Sequence, residues 1–282
     1  MEYVDGGSFN TPIKDRSLGQ ADIVRLVSET LLGVGHLHNA GFLHRDLKPG
    51  NLLIKHSAVG PIGKVGDFGS VRQIEEGQTS VSASKHSSLY RPPEAWGAQG
   101  FFGFSSDVYQ IGICLYELLN GALPYDLGSY VDEIAQAQMK EWGLASFTEA
   151  DSFQKSQLAD GCIERRAKAG KLLELTSPTP CVSKRLAKIL RKSTHVNAAE
   201  RYQSAFDFVN DLHTAATPNW IEETSAFHAR HWRGWDWQVP KSSQAGKWKI
   251  LRAREGTQNY RAIGTPLPSI GKACKYVNDY AR

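Results

Sequence analysis

The chain has 282 residues, with 41% apolar, 22% charged and 10% aromatic residues and a net charge of +4. That is enough chain for a sizeable core, and neither low hydrophobicity nor extreme charge is present, so disordered, collagen-like and disulfide-scaffold classes drop out. Its cysteines (Cys114, Cys162, Cys181, Cys274) lack the short paired spacings of zinc sites or redox dithiols, so a reducing, cytoplasmic setting is expected. No apolar run of ~18 residues exists and the opening stretch MEYVDGGSFN is acidic, so no membrane span or secretory signal is expected.

Charge and tryptophan are unevenly spread. From His228 to Arg282 eleven Lys and Arg stand against three acids (Asp236, Glu255, Asp279), a local net of +8 that leaves about −4 for the rest. Five of seven tryptophans fall in the last quarter (Trp220, Trp232, Trp235, Trp237, Trp248), so two compositional regimes predict two modules.

Gly6-Gly7, Pro12 and Gly19 predict extended chain and turns over the first nineteen residues. Ile23, Val24, Val27, Leu31, Val34 and Leu37 then recur at helical spacing, predicting a helix over 20–39 that stops at Asn39-Ala40-Gly41. Phe42-Leu43, Leu52-Leu53-Ile54 and Lys64-Val65-Gly66 read as short strands framing loops. Residues 70–88 are polar and Ser-rich without a period, which predicts a loop. From Ser106 to Asn120 the chain is apolar nearly all round, as for a helix buried at the centre of a helical domain. Further helical patterns lie around 129–142, 150–172, 182–192 and 203–214. Beyond Pro218, WDWQV, KWKILRA and NYRAI read as strands before a terminal helix from about Ser269.

His44-Arg45-Asp46-Leu47-Lys48-Pro49-Gly50-Asn51 matches H-R-D-L-x-x-x-N at every fixed position, and Asp67-Phe68-Gly69 follows sixteen residues after Asn51. Tyr90-Arg91-Pro92-Pro93-Glu94 stands where A-P-E would, with Pro for Ala. The chemistry implied is phosphoryl transfer: Asp46 as the carboxylate that takes a hydroxyl proton, Lys48 as positive charge on the moving phosphoryl group, and Asn51 and Asp67 as oxygen ligands for Mg²⁺. In this order the motifs resemble the eukaryotic-type Ser/Thr protein kinase family.

The resemblance implies an α+β, predominantly α, kinase-like large lobe over 1–214, a linker at 215–230 and a basic, Trp-rich tail of β-plus-helix type at 231–282. It implies a protein kinase using ATP and Mg²⁺ on Ser/Thr hydroxyls of protein substrates. Met1-Glu2-Tyr3-Val4 looks like the hinge, with Met1 as gatekeeper and the backbones of Glu2 and Val4 meeting adenine, Ser8 near the ribose and Leu53 under the purine. His44, Phe68 and Gly69 complete the two loops. Asp107 resembles the buried acid that holds the catalytic loop, and Arg201 the arginine that pairs with Glu94. Arg45 implies control by phosphorylation of the activation segment, with Thr79, Ser80, Ser82 and Ser84 as candidates, while Ser87 is a substrate-side contact.

The match begins at the hinge: no G-x-G-x-x-G precedes it, nor V-A-I-K. An isolated chain of this kind is expected to be weak or inactive, as a large-lobe piece whose small lobe is encoded elsewhere or as a non-catalytic, pseudokinase-like scaffold. The retained base and metal ligands favour descent from an active enzyme. For the tail two readings stand: a small β-rich domain with an aromatic core and solvated charges, or a surface for an anionic partner such as nucleic acid. His228 and His231 lack a nearby Cys or acid to complete a metal set.

Overall fold

The computed structural model describes residues 2–58, 60–75, 77–83, 87–175, 181–223 and 226–280. Met1 and Ser84 lie outside the described residues. The first part of the chain is helical. A short helix, α1 (Asn10–Asp15), interrupts the segment expected to be extended, because Pro12 sits inside the first helical turn, where a missing N–H costs nothing, and buries with Ile13. Helix α2 (Gln20–Asn39) buries Ile23, Val24, Val27, Leu31 and Val34 along one stripe and stops before Gly41, whose φ of 77° is left-handed. Strand β1 (Phe42–Leu43) follows, then β2 (Leu52–Lys55) and β3 (Ile62–Val65), an antiparallel pair in which Leu53 faces Lys64.

The stretch read as a loop contains two short strands, β4 (Arg72–Gln73) against β1 and β5 (Val81–Ser82) against β6 (Phe101–Phe102). Helix α3 (Phe104–Asn120) is buried on nearly every side and ends at Gly121. A Cβ at Gly112 would come within 2.7 Å of Ser193 and Thr194, so only glycine lets α3 approach the next layer this closely. That layer comprises α4 (Glu133–Glu141), α5 (Ser152–Lys168), α6 (Lys184–Ser193) and α7 (Ala205–His213). One continuous core runs from Phe9 through α2 and α3 to Leu212.

The second part is a five-stranded antiparallel sheet closed by a helix. Its strands are β7 (Asn219–Glu223), β8 (Ala226–Trp232), β9 (Trp235–Pro240), β10 (Leu251–Arg254) and β11 (Arg261–Ala262), and they lie side by side in chain order. Helix α8 (Ile270–Asp279) covers one face. Trp220, Phe227, Trp237, Val239, Ile250 and Val277 form a separate core.

Residues 215–230 are not a linker, because β7 and most of β8 come from them; alternation of buried and exposed residues in NWIEE and AFHARHW is the signal that was missed. The sheet meets the helical part directly: the Asn219 carboxamide caps α2, its Oδ1 accepting from Ala21 N at 3.0 Å and its Nδ2 donating to Asp22 at 2.7 Å. Cys181 and Cys274, 93 residues apart, join the helical part to α8 as a disulfide. This pairing departs from the reducing setting that cysteine spacing led one to expect, because it is docking of the sheet, and not any spacing in the sequence, that brings the two together. Among the described residues, no helix is long and apolar enough to cross a membrane.

Candidate active site

Asp107, fully buried near the start of α3, organises the loop between β1 and β2. Its Oδ1 accepts the backbone N–H of Arg45 at 2.8 Å and its Oδ2 those of His44 and the His38 ring, both at 2.9 Å. Three charge-assisted hydrogen bonds keep an otherwise costly buried carboxylate satisfied. One turn further along α3, Gln110 accepts from Leu47 N at 3.0 Å and donates to the Arg45 carbonyl at 3.3 Å. With its backbone so held, Arg45 takes a left-handed φ of 73°, a strained conformation that the surroundings impose.

The consequence is the position of Asp46. Its Oδ2 receives Lys48 Nζ at 2.8 Å and Asn51 Nδ2 at 3.1 Å, and Asn51 Nδ2 also reaches the Asp46 carbonyl at 2.7 Å. Lys48 Nζ donates in addition to Ser87 Oγ at 3.2 Å. Asp46 Oδ1 is buried and has no hydrogen-bond partner among the described residues. A half-satisfied buried carboxylate is costly in a resting fold.

The second loop is tied to the first. Gly66 N donates to the Asn51 carbonyl at 2.8 Å, and His44 Nε2 donates to the Gly66 carbonyl at 2.9 Å. Asp67 comes next with φ 55°, its carboxylate accepting from Gly69 N at 3.3 Å. Phe68 is 55% exposed, its ring leaning on His44 at 5.8 Å. The segment before α1 pairs with β2: Gly6 N donates to the Ile54 carbonyl at 2.8 Å, and Ser8 forms a bridge with Leu53. A Cβ at Gly66 would stand 2.9 Å from Leu53, so these two loops close over that leucine. The Glu2 side chain turns to Lys55 and to Lys64 at 3.2 Å, and those ammonium groups hold its carboxyl below the usual range. Val4 is half-buried in the same segment.

Arg45 reaches towards β5. Its Nη1 donates to the Ser70 carbonyl at 3.5 Å and its Nη2 to the Ser82 carbonyl at 3.3 Å, while Nε is buried without a partner among the described residues. Burial, followed by the charge of Arg72, pushes the Arg45 pKa down. Thr79, Ser80 and Ser82 sit in this exposed or half-buried stretch.

Glu94 and Arg201 lie apart from the catalytic loop and pair with each other, with Ser106 Oγ donating to Glu94 Oε1 at 2.7 Å. Sequence reasoning did not find Gln110, His38 or Ser106. Their only signal was position, a polar residue one helical turn from Asp107 or at a helix end, and such residues are common on solvated faces. Beside Lys48 and Ser87 opens a cavity of about 910 Å³, walled by Ile13, Leu89, Tyr90 and Tyr125 with Lys14 at its rim.

Residues 1–212 match the protein kinase domain family model. The chain is 30% identical over 219 residues to the serine/threonine-protein kinase GIN4 of Saccharomyces cerevisiae, covering 73% of this chain and 19% of that protein. It is 35% identical over 125 residues to shk1/pak1 of Schizosaccharomyces pombe (44% of this chain, 18% of that protein). It is 32% identical over 131 residues to PknJ of Mycobacterium tuberculosis (46% of this chain, 22% of that protein). The chain thus spans less than a quarter of the length of each of these relatives. With the catalytic-loop geometry and this match over three quarters of its length, the chain belongs to the protein kinase domain family.

Proposed function

We propose that this chain supplies the large-lobe half of a protein kinase that transfers the γ-phosphoryl group of Mg-ATP to Ser or Thr hydroxyls of protein substrates. The observation that carries this reading is Asp46 Oδ1, a buried oxygen without a hydrogen-bond partner among the described residues, beside an Oδ2 that Lys48 and Asn51 hold. A hydroxyl seated there is oriented for attack and loses its proton to Oδ1. Lys48 holds Oδ2 and, through Ser87, ties the base to the segment lining the cavity, where the substrate chain would lie; its charge faces the developing negative charge of the transferring group.

The donor set suits Mg²⁺. Asn51 spends its Nδ2 on Asp46, which leaves Oδ1 as the atom for a cation, and Asp67 offers a carboxylate on the adjoining loop. Two hard oxygen donors with the remaining positions left to phosphate and water is how Mg²⁺ is usually held. Mg-ATP, when bound, supplies the phosphoryl group and the metal charge that offsets its oxygens. Leu53, Val4 and the backbone of Glu2 would meet the base and Ser8 the ribose. The glycine-rich loop and strand lysine of the family are not among these residues, so full activity needs a small lobe, in the same polypeptide or in a separate one.

Nucleotide binding tests the reading separately from catalysis. A fluorescent ATP analogue titrated into the chain should bind more tightly with Mg²⁺ than with EDTA, and Asp67→Ala should remove most of that Mg²⁺-dependent gain. Equal binding with and without Mg²⁺ in the unsubstituted chain would contradict it.

A further inference from the structure

The basic sheet at the end of the chain carries a cluster that the kinase reading does not use. In the register of β9, β10 and β11, Arg252 stands directly opposite Arg261, and Arg254 directly opposite Trp235. Side chains at i and i+2 share a face, so three guanidinium groups gather on one side of the sheet with Trp235 and the buried Trp237. Arg252 and Arg254 stack on the Trp235 ring at 4.1 and 4.4 Å, and Arg252 also donates to the Tyr280 hydroxyl. They line a concavity of about 520 Å³ together with Arg261, Thr257 and Asn259.

Like charges placed directly opposite on a sheet destabilise it unless something neutralises them. Nothing among the described residues does so here. The three acids of residues 228–282 are engaged elsewhere: Asp236 accepts from His231 N at 2.9 Å and Gly256 N at 3.2 Å, Glu255 pairs with His231 Nδ1 at 2.7 Å, and Asp279 with Lys275 at 3.1 Å. Asp236 lies opposite Ala253, one residue out of step with the arginines and therefore on the other face. Arg252 and Arg254 are held in place by stacking on Trp235, and the cluster is left without counter-charge among the described residues.

We infer that this concavity is a binding site for a phosphate monoester dianion. Several guanidinium forks converging on one hollow match a compact, doubly charged group with several acceptor oxygens, and the Asn259 amide adds a neutral donor, while the Thr257 hydroxyl donates to the Arg254 carbonyl at 2.8 Å and braces that residue. Nucleic acid is disfavoured, because the Trp235 ring that would stack a base is already taken up by two guanidinium groups. The inference rests on the sheet alone and holds whether or not the helical part transfers phosphate.

A fluorescein-labelled Gly-Gly-phosphoserine-Gly-Gly peptide and its unphosphorylated twin, titrated with the full chain and read by anisotropy, test it. The phosphopeptide should bind at least tenfold more tightly than the twin. The double variant Arg254→Gln/Arg261→Gln, both residues exposed, should lose at least tenfold in affinity with a thermal midpoint no lower than that of the unsubstituted chain, whereas Arg230→Gln on β8 should change the affinity less than twofold. Competition by inorganic phosphate at concentrations similar to phosphoserine would assign the site to free phosphate compounds; a preference for the peptide would assign it to phosphorylated side chains. Either outcome upholds a monoester site. Equal binding of both peptides, an unaffected double variant, or tighter binding of a single-stranded oligothymidylate would overturn it.

Discussion

Arg201 and Glu94, 107 residues apart, meet as a two-pronged ion pair, Nη1 to Oε1 and Nη2 to Oε2 both at 2.7 Å. The arginine side chain is 0% and the glutamate 8% exposed, and the guanidinium also donates to the carbonyls of His195, Val196 and Ser105 while stacking on Tyr109. It ties the Pro-Pro-Glu turn to the loop after α6, so the second half of the helical part is in register with the first.

Removing one partner strands a buried charge, which costs on the order of 3 to 5 kcal/mol. Arg201→Ala is expected to lower the denaturant midpoint clearly, while Arg191→Ala, on an exposed face of α6, should change stability by no more than about 0.5 kcal/mol. Arg165, by contrast, grips Asp132 through two bonds of 2.8 and 2.7 Å.

That second pair predicts a pH dependence. Asp132 caps α4, and the Arg165 guanidinium, with the Ala135 N–H, holds its pKa down to about 2 from an ordinary 3.8. A carboxylate depressed in the folded state contributes stability that is present above the ordinary value and is lost as pH falls through the folded one. Asp132→Asn should therefore lower the thermal midpoint at about pH 7, and the gap from the unsubstituted chain should close between about pH 4 and pH 2. A gap constant across that window would assign the effect to the cap alone.

Arg45 predicts a switch. Its buried Nε has no partner among the described residues, and the nearby charge of Arg72 adds to a local excess of positive charge beside β5 that an anion would offset. Phosphate on Thr79, Ser80 or Ser82 would gain charge-assisted bonds there. Mass spectrometry of the natural protein should find phosphate on one of these residues, and phosphatase treatment should lower the thermal midpoint by a few degrees. Arg72→Ala should shrink that difference, while an unchanged midpoint after phosphatase would remove the switch.

Helix α2, the buried α3 and the loop residues Asp46, Lys48, Asn51 and Asp67 were legible because helical periodicity and fixed motif spacing are local signals. The supports were not. Gln110 and His38 act across the fold, and nothing in a polar residue's neighbours in sequence marks it as buried. Helix α1 is too short to show a period, and β7 was hidden by its place beside Thr217-Pro218, which read as a boundary. The Cys181–Cys274 bond needs the docked sheet before the two meet.

Asp46 Oδ1 is proposed to receive the proton of a protein hydroxyl. Transfer of radiolabelled phosphate from ATP to a Ser/Thr protein substrate, measured on the natural polypeptide carrying residues 1–282 and again with a family small lobe added in trans, tests it most directly. Asp46→Asn should reduce the rate by roughly 10² to 10⁴-fold while leaving Mg-ATP binding within about twofold, since a base that orients the hydroxyl does not hold the nucleotide. An Asp46→Asn protein that transfers phosphate as fast as the unsubstituted one, or that loses nucleotide binding to the same extent as Asp67→Ala, would contradict the assignment.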